Sequence, residues 1–222
     1  MKNIPGLVMK LAVMGAVMPL VQSVAAVKSE KPNVLMLVVD DWGYYDMSLT
    51  GSKLYETKNV DKLAEVSTNF TQGYVAYPRS VPSRYSLMSG RHCSRPEGKI
   101  SIDTRHITKD DYCIAMPFKQ AGYQTFFIGK WHLTDGKTMP EDKGFDINIG
   151  GGSAGAVGSH FAPFNLDKGY SKDHPVKGME DAMPHEYMTD YMGRKTVDYI
   201  NSASKSDKPF LQYVAFMLYI LH

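Results

Sequence analysis

The sequence predicts an α/β protein with a mostly parallel β-sheet flanked by helices. Two observations carry that class. VLMLVVD (Val34 to Asp40), YQTFFI (Tyr123 to Ile128) and FLQYVAF (Phe210 to Phe216) are short apolar runs rich in β-branched and aromatic residues. Stretches of helical character separate them. Continuous apolar runs suit strands covered on both faces, as in parallel sheets. Strands alternating with helices belong to parallel crossover architectures.

The elements follow in chain order. Val34 to Asp40 is expected to be a strand buried on both faces. Asn59 to Val66 places Val60, Leu63, Ala64 and Val66 at helical spacing, with Thr57 or Asn59 as the cap. A helix is expected to start at Pro82, because proline in a first turn gives up an N–H that has no partner there. Asp110 to Gln120 reads as a helix ended or kinked by Pro117, and Gly122 provides the stop before the next strand. The segment from Gly144 to Pro163 contains GGGSAGAVG, lacks periodicity and reads as a loop. It has no GK[ST] element, so nucleotide binding gains little support. Thr189 to Asn201 is the last expected helix, and Phe210 to Phe216 the last strand.

Composition limits the function. The chain has 222 residues and is 43% hydrophobic, enough for a sizeable core. Lys2 and Lys10 are the only charged residues among the first 26, so the remainder carries as many acids as bases. That balance lacks the basic footprint of a nucleic-acid binder. The first 26 residues combine early lysines, an apolar run from Leu11 to Val21, and small residues at Ser23, Ala25 and Ala26. They read as a secretory signal cleaved after Ala25 or Ala26, leaving 27–222 as the working domain. The run falls short of the roughly 20 apolar residues a membrane span requires, so no stable membrane anchor is expected. Cys93 and Cys113 are the only cysteines. They lack CxxC spacing, and are expected to be free or to form one bridge.

Chemistry concentrates at strand ends. Asp40 and Asp41 close the first strand, on the sheet edge where open α/β sheets bind ligands. Two adjacent carboxylates suit a hard cation, Ca²⁺ or Mg²⁺; a solvated acidic turn is the plainer alternative. Ser80 and Arg84 lie at the expected helix start in PRSVPSRYSLMSGR, where free N–H groups and a guanidinium favour an oxyanion. Taken singly, Ser80 could be a helix cap and Arg84 a surface ion pair. GKWHL puts Lys130 and His132 just after a strand, the lysine able to hold an anion and the histidine to move a proton.

PNVLMLVVDDWGYYD, SVPSRYSLMSGR and AGYQTFFIGKWHL together resemble the N-terminal half of the sulfatase family, from about Lys31 to Phe216 and in the family's order. The family signature starts with Cys or Ser, continues x-P-S-R, and ends in Gly-Arg; Ser80, Pro82, Ser83, Arg84, Gly90 and Arg91 hold those positions. Ser89 stands where threonine is usual, and CSRP at Cys93 has the letters in the wrong order. The resemblance implies an alkaline-phosphatase-like fold and oxidation of Ser80 to formylglycine by a radical-type maturase before export. One hydroxyl of the hydrated aldehyde would attack sulfur, and the other would help to expel sulfate. The resemblance further implies that Asp40, Asp41 and the modified Ser80 bind Ca²⁺, with Mg²⁺ second. Arg84 would stabilise the nucleophile, Lys130 would contact sulfate, and His132 would relay a proton. The substrate would be a sulfate ester, such as a sulfated polysaccharide, met in the periplasm or outside a bacterium.

The pattern breaks after Phe216. Met217 stands where a polar residue is expected, His222 is terminal, and the later metal ligands and second lysine have no counterpart. The domain is therefore expected to be an N-terminal portion lacking its C-terminal part. Two further readings stay open: a phosphate or phosphonate hydrolase of the same superfamily, and a non-catalytic fragment.

Overall fold

A computed structural model describes residues 31–95, 106–134, 136–164 and 176–217. The expected signal segment lies outside the described residues, as does the end of the chain beyond 217.

Four parallel strands form one sheet: β1 (Val34–Val39), β2 (Gln124–Gly129), β3 (Ile147–Ile149) and β4 (Phe210–Phe216), in the order β1-β4-β2-β3. The last strand in sequence lies between the first two. β4 pairs with β1 from Val34 opposite Leu211 to Val39 opposite Phe216, and with β2 from Gln124 opposite Phe210 to Gly129 opposite Ala215. Parallel pairing brings the carboxyl ends of β1, β4 and β2 to a common edge.

Each face of the sheet carries a core. Side chains alternate along β4. Leu211, Tyr213 and Ala215 join one cluster with Phe127, Trp131, Phe145 and Tyr85. Val214 joins the other, with Ile128 and with Met188, Tyr191 and Met192 of α4 (Met188–Ala203). Phe127 anchors the first cluster. Its ring stacks on Tyr213 with centroids 5.6 Å apart, and it meets Trp131 and Phe145 edge-on at 5.3 and 5.2 Å. Side chains so fully buried contribute on the order of 1.5–3 kcal/mol each through apolar burial.

Several expectations need correction. β1 is not buried on both faces: among the described residues it is an edge strand, with Leu35 43% and Leu37 53% exposed. The first helix, α1 (Lys58–Glu65), buries none of its residues. Its cap residue Thr57 makes no side-chain capping bond; its oxygen instead accepts the Ser48 N–H at 3.0 Å, and its hydroxyl donates to Asp61 Oδ1 at 2.9 Å. The helix expected from Pro82 is α2 (Ser80–Ser89), which starts two residues earlier with Arg79 as cap. The helix expected from Asp110 is confined to α3 (Ala115–Gln120). The preceding residues are held as a turn: Asp111 Oδ2 accepts from the Thr108 N–H and hydroxyl, and Lys143 Nζ donates to the carbonyls of Thr108, Lys109 and Asp111. Pro117 falls in the first turn of α3 and breaks nothing. The segment read as a loop from Gly144 contains β3. Cys93 and Cys113, by contrast, agree with expectation: both are free, and both are buried.

Candidate active site

α2 presents Ser80 as its first helical residue, because Arg79 is still extended at φ −138°. Ser80 is thus not the cap. Pro82 occupies the first turn, where helix N–H groups have no intrahelical acceptor. Gly90, at φ +71°, ends the helix with its N–H on the Ser86 carbonyl at 2.9 Å. Tyr85 and Met88 bury the inner face of the helix and fix its orientation on the sheet.

Arg84 lies one turn below Ser80 and is only 5% exposed. It is no surface ion pair. Its Nε donates to Ser80 Oγ at 3.1 Å, one terminal nitrogen to the Lys130 carbonyl at 2.7 Å, and the other to Asp40 Oδ1 at 2.8 Å. Lys130 Nζ pairs with Asp40 Oδ2. The Asp40 carboxylate therefore sits between two buried cations. Burial would raise its pKa, but Arg84 and Lys130 outweigh that and hold it below the ordinary value. Burial lowers Lys130, with Asp40 opposing the shift.

His132 completes the cluster, its Nδ1 3.3 Å from Ser80 Oγ. Burial first, then the charges of Lys130 and Arg84, push its pKa down to about 4. The imidazole is neutral near pH 7 and available as a proton acceptor. Its backbone is left-handed at φ +50°, and its N–H is held by the Gly152 carbonyl at 3.0 Å. Asp41 is likewise left-handed, at φ +55°. Non-glycine residues in that region need support from their surroundings, and such residues gather at functional sites. Gly129, at φ +99°, brings β2 so near β4 that an added Cβ would lie 2.2 Å from the Ala215 carbonyl oxygen. Only glycine lets the chain turn there and deliver Lys130 and His132.

Asp40, Asp41, Ser80, Ser83 and Arg84 line a cavity of about 500 Å³. Five expected residues, Asp40, Ser80, Arg84, Lys130 and His132, thus meet directly. Asp41 lines the cavity from its exposed side. Backbone groups were not foreseen: the Lys130 and Gly152 carbonyls hold Arg84 and His132. The glycine-rich stretch was the one signal for the second.

The donors suit a hard cation in kind but not in number. Asp40 and Asp41 with the Ser80 oxygen fall short of the roughly 6–8 oxygens Ca²⁺ takes, and both Asp40 oxygens already face protein cations. Among the described residues no group of three or more His, Cys, Asp or Glu side chains could hold a metal ion. The described residues alone do not make a calcium site.

A model of the Sulfatase family matches residues 32–218. The chain belongs to the sulfatase family. The matched range includes every residue of the cluster. An arylsulfatase of Klebsiella aerogenes is 30% identical over 211 residues, covering 86% of this chain and 43% of that enzyme. An N-acetylgalactosamine-6-O-sulfatase of Bacteroides thetaiotaomicron is 36% identical over 108 residues, covering 47% of this chain and 21% of that protein. Among solved structures, Ps i-CgsB in complex with k-i-k-neocarrahexaose superposes with a TM-score of 0.71 at 30% identity, covering 84% of this chain and 45% of that one. This sulfatase chain spans less than half the length of each of these relatives. Its sheet and flanking helices are those of the alkaline-phosphatase-like sulfatase fold. No helix among the described residues is long and apolar enough to cross a membrane.

Proposed function

We propose that this chain carries the nucleophile half of a site that hydrolyses sulfate esters, with Ser80 oxidised to formylglycine. The observation that carries this is Ser80 Oγ at a helix start, within reach of Arg84 Nε at 3.1 Å and His132 Nδ1 at 3.3 Å. A radical-type maturase removes two hydrogens from the Ser80 side chain, and water adds to the aldehyde to give two hydroxyls on one carbon. Arg84 holds the attacking oxygen. His132 accepts its proton as the oxygen bonds to sulfur and the S–O bond to the alcohol breaks. Loss of the second hydroxyl's proton then restores the aldehyde and breaks the link to sulfate. A positioned proton acceptor of this kind contributes about 10²–10⁴-fold in rate.

Arg84 and Lys130 supply two cations for the anionic group. Asp40 keeps them apart and oriented before substrate arrives. Ca²⁺ is the cation proposed at Asp40, Asp41 and the modified Ser80, polarising a sulfate oxygen when bound; its other donors would come from water or polypeptide outside the described residues. A sulfated sugar is the proposed substrate class. It is supported by the sugar sulfatase relative and by a structural neighbour solved with its substrate D-glucosamine-2-N,6-O-disulfate, at TM-score 0.60 and 25% identity. Export into the periplasm or medium of a bacterium is proposed from the first 26 residues.

Tandem mass spectrometry of the protein from its native host tests the nucleophile. The peptide containing Ser80 is expected to be two hydrogens lighter than the sequence dictates. 4-Nitrophenyl sulfate should also be cleaved in preference to 4-nitrophenyl phosphate. An unmodified Ser80 with phosphate preferred would sink the proposal in favour of a phosphohydrolase.

A further inference from the structure

Gly150, Gly151 and Gly152 answer to three different contacts. Gly150 is left-handed at φ +77°, packed so that a Cβ would lie 2.3 Å from Met179 Cε. A Cβ on Gly151 would meet Asn148 Oδ1 at 2.3 Å, and that side chain clasps the Gly151 backbone. The Gly151 N–H donates to Asn148 Oδ1 at 2.9 Å, and Asn148 Nδ2 donates to the Gly151 carbonyl at 3.0 Å. Asn148 belongs to β3, so the stretch leaves the sheet in a fixed direction. The Gly152 carbonyl then takes the His132 N–H.

Gly155 is different. Its backbone lies outside the left-handed region, so its conformation does not call for glycine. The space does. A Cβ there would lie 2.4 Å from His132 Cε1, 2.6 Å from Nε2 and 2.9 Å from Nδ1. Such short distances to three ring atoms put the added methyl over the face of the imidazole, not beyond its edge. A ring displaced by that methyl would leave its place 3.3 Å from Ser80 Oγ.

We propose that Gly155 is a positioning residue, its bare α-carbon forming the seat that holds the His132 imidazole with Nδ1 toward Ser80 Oγ. The seat stands on geometry alone; its catalytic meaning rests on the proposed role of His132 as acceptor of the Ser80 nucleophile's proton.

A thermal double-mutant cycle on the full chain tests the seat without turnover. Gly155→Ala is expected to lower Tm by about 3–10 °C while the imidazole is present. In a His132→Ala background the same change should cost under about 2 °C, because the ring it strikes is gone. Gly193→Ala, which points into open space on α4, should leave His132 undisturbed. Equal losses in the two backgrounds would overturn the proposal. If Gly155→Ala alone does not fold, recovery of a folded protein in the double variant supports the seat, and failure to recover overturns it. In the wild-type chain, a nuclear Overhauser effect between His132 Hε1 and the Gly155 α-protons is required, and its absence overturns the proposal without any variant. With a sulfate ester, Gly155→Ala should lower kcat at least tenfold with KM within about twofold. Coupling in the cycle without sulfate-ester turnover by the wild type would leave the seat standing and remove the nucleophile assignment instead.

Discussion

Arg84 directs its nitrogens at three separate segments: Ser80 on its own helix, the Lys130 carbonyl after β2, and Asp40 after β1. Its worth thus lies in shape as much as charge. Lysine offers the charge without the planar fork and cannot serve three acceptors in those directions. Arg84→Lys should lower stability by about 1.5–3 kcal/mol, the range for hydrogen bonds to charged groups. Urea melts would measure this, and an unchanged midpoint would mean that charge alone is what the site uses. Residues of this kind were legible in the sequence, because serine, arginine, lysine, histidine and aspartate clustered at strand and helix ends stand out. The backbone carbonyls that hold them were not, since any residue can supply one. Nor could the letters tell that Asp40 turns toward two cations while Asp41 stays exposed.

Among elements, α2 owes its position to a tie at its core-facing side. The Tyr85 hydroxyl donates to Asp111 Oδ1 at 2.9 Å, and Thr108 gives Asp111 Oδ2 two more bonds at 2.8 and 2.9 Å. Burial would raise the Asp111 pKa, but the bonds from Thr108 and Tyr85, with Arg91 nearby, bring it below the ordinary value. A carboxyl with a lowered folded pKa adds stability that is present above its unfolded value, near 3.9, and is lost as pH falls through the folded value. Asp111→Asn should therefore melt below the wild type at pH 7, and the gap should close as pH drops below about 4. A gap that persists in acid would show that the carboxylate charge is not what ties the turn. The same tie explains the short α3. Helical spacing from Asp110 is present in the sequence, yet local side chains and Lys143 claim the backbone groups a helix would need. Helix starts were misplaced for a related reason, because proline tolerates several positions in a first turn.

For the molecule as a whole, the three longer strands were legible in the sequence, whereas the three-residue β3 and the strand order were not. A continuous apolar run looks alike whether a strand lies in the centre or at an edge, and pairing joins residues far apart in the chain. β4 proved interior, β1 exposes Leu35 and Leu37 on one face, and α1 buries nothing. Among the described residues β1 pairs with β4 alone, and Leu35 and Leu37 with that open side make a sticky edge. The chain by itself should associate in a concentration-dependent way, and the pair Leu35→Lys and Leu37→Lys should suppress this with little change in Tm. Sedimentation velocity would decide, and a wild-type chain that stays monomeric at high concentration would contradict the expectation.

The central place of β4 also sets a clock. Within the sheet β1 and β2 are joined through β4, so the common edge that gathers Asp40, Ser80, Arg84, Lys130 and His132 is not complete until residue 216 has been made. Ser80 is synthesised roughly 130 residues before that strand, an interval on the order of 10 s at ~5–20 residues per second. Throughout it the serine belongs to an unfinished fold, open to any enzyme that must reach an extended peptide. Once β4 slots in, the side chain is held between Arg84 and His132, and that opportunity closes.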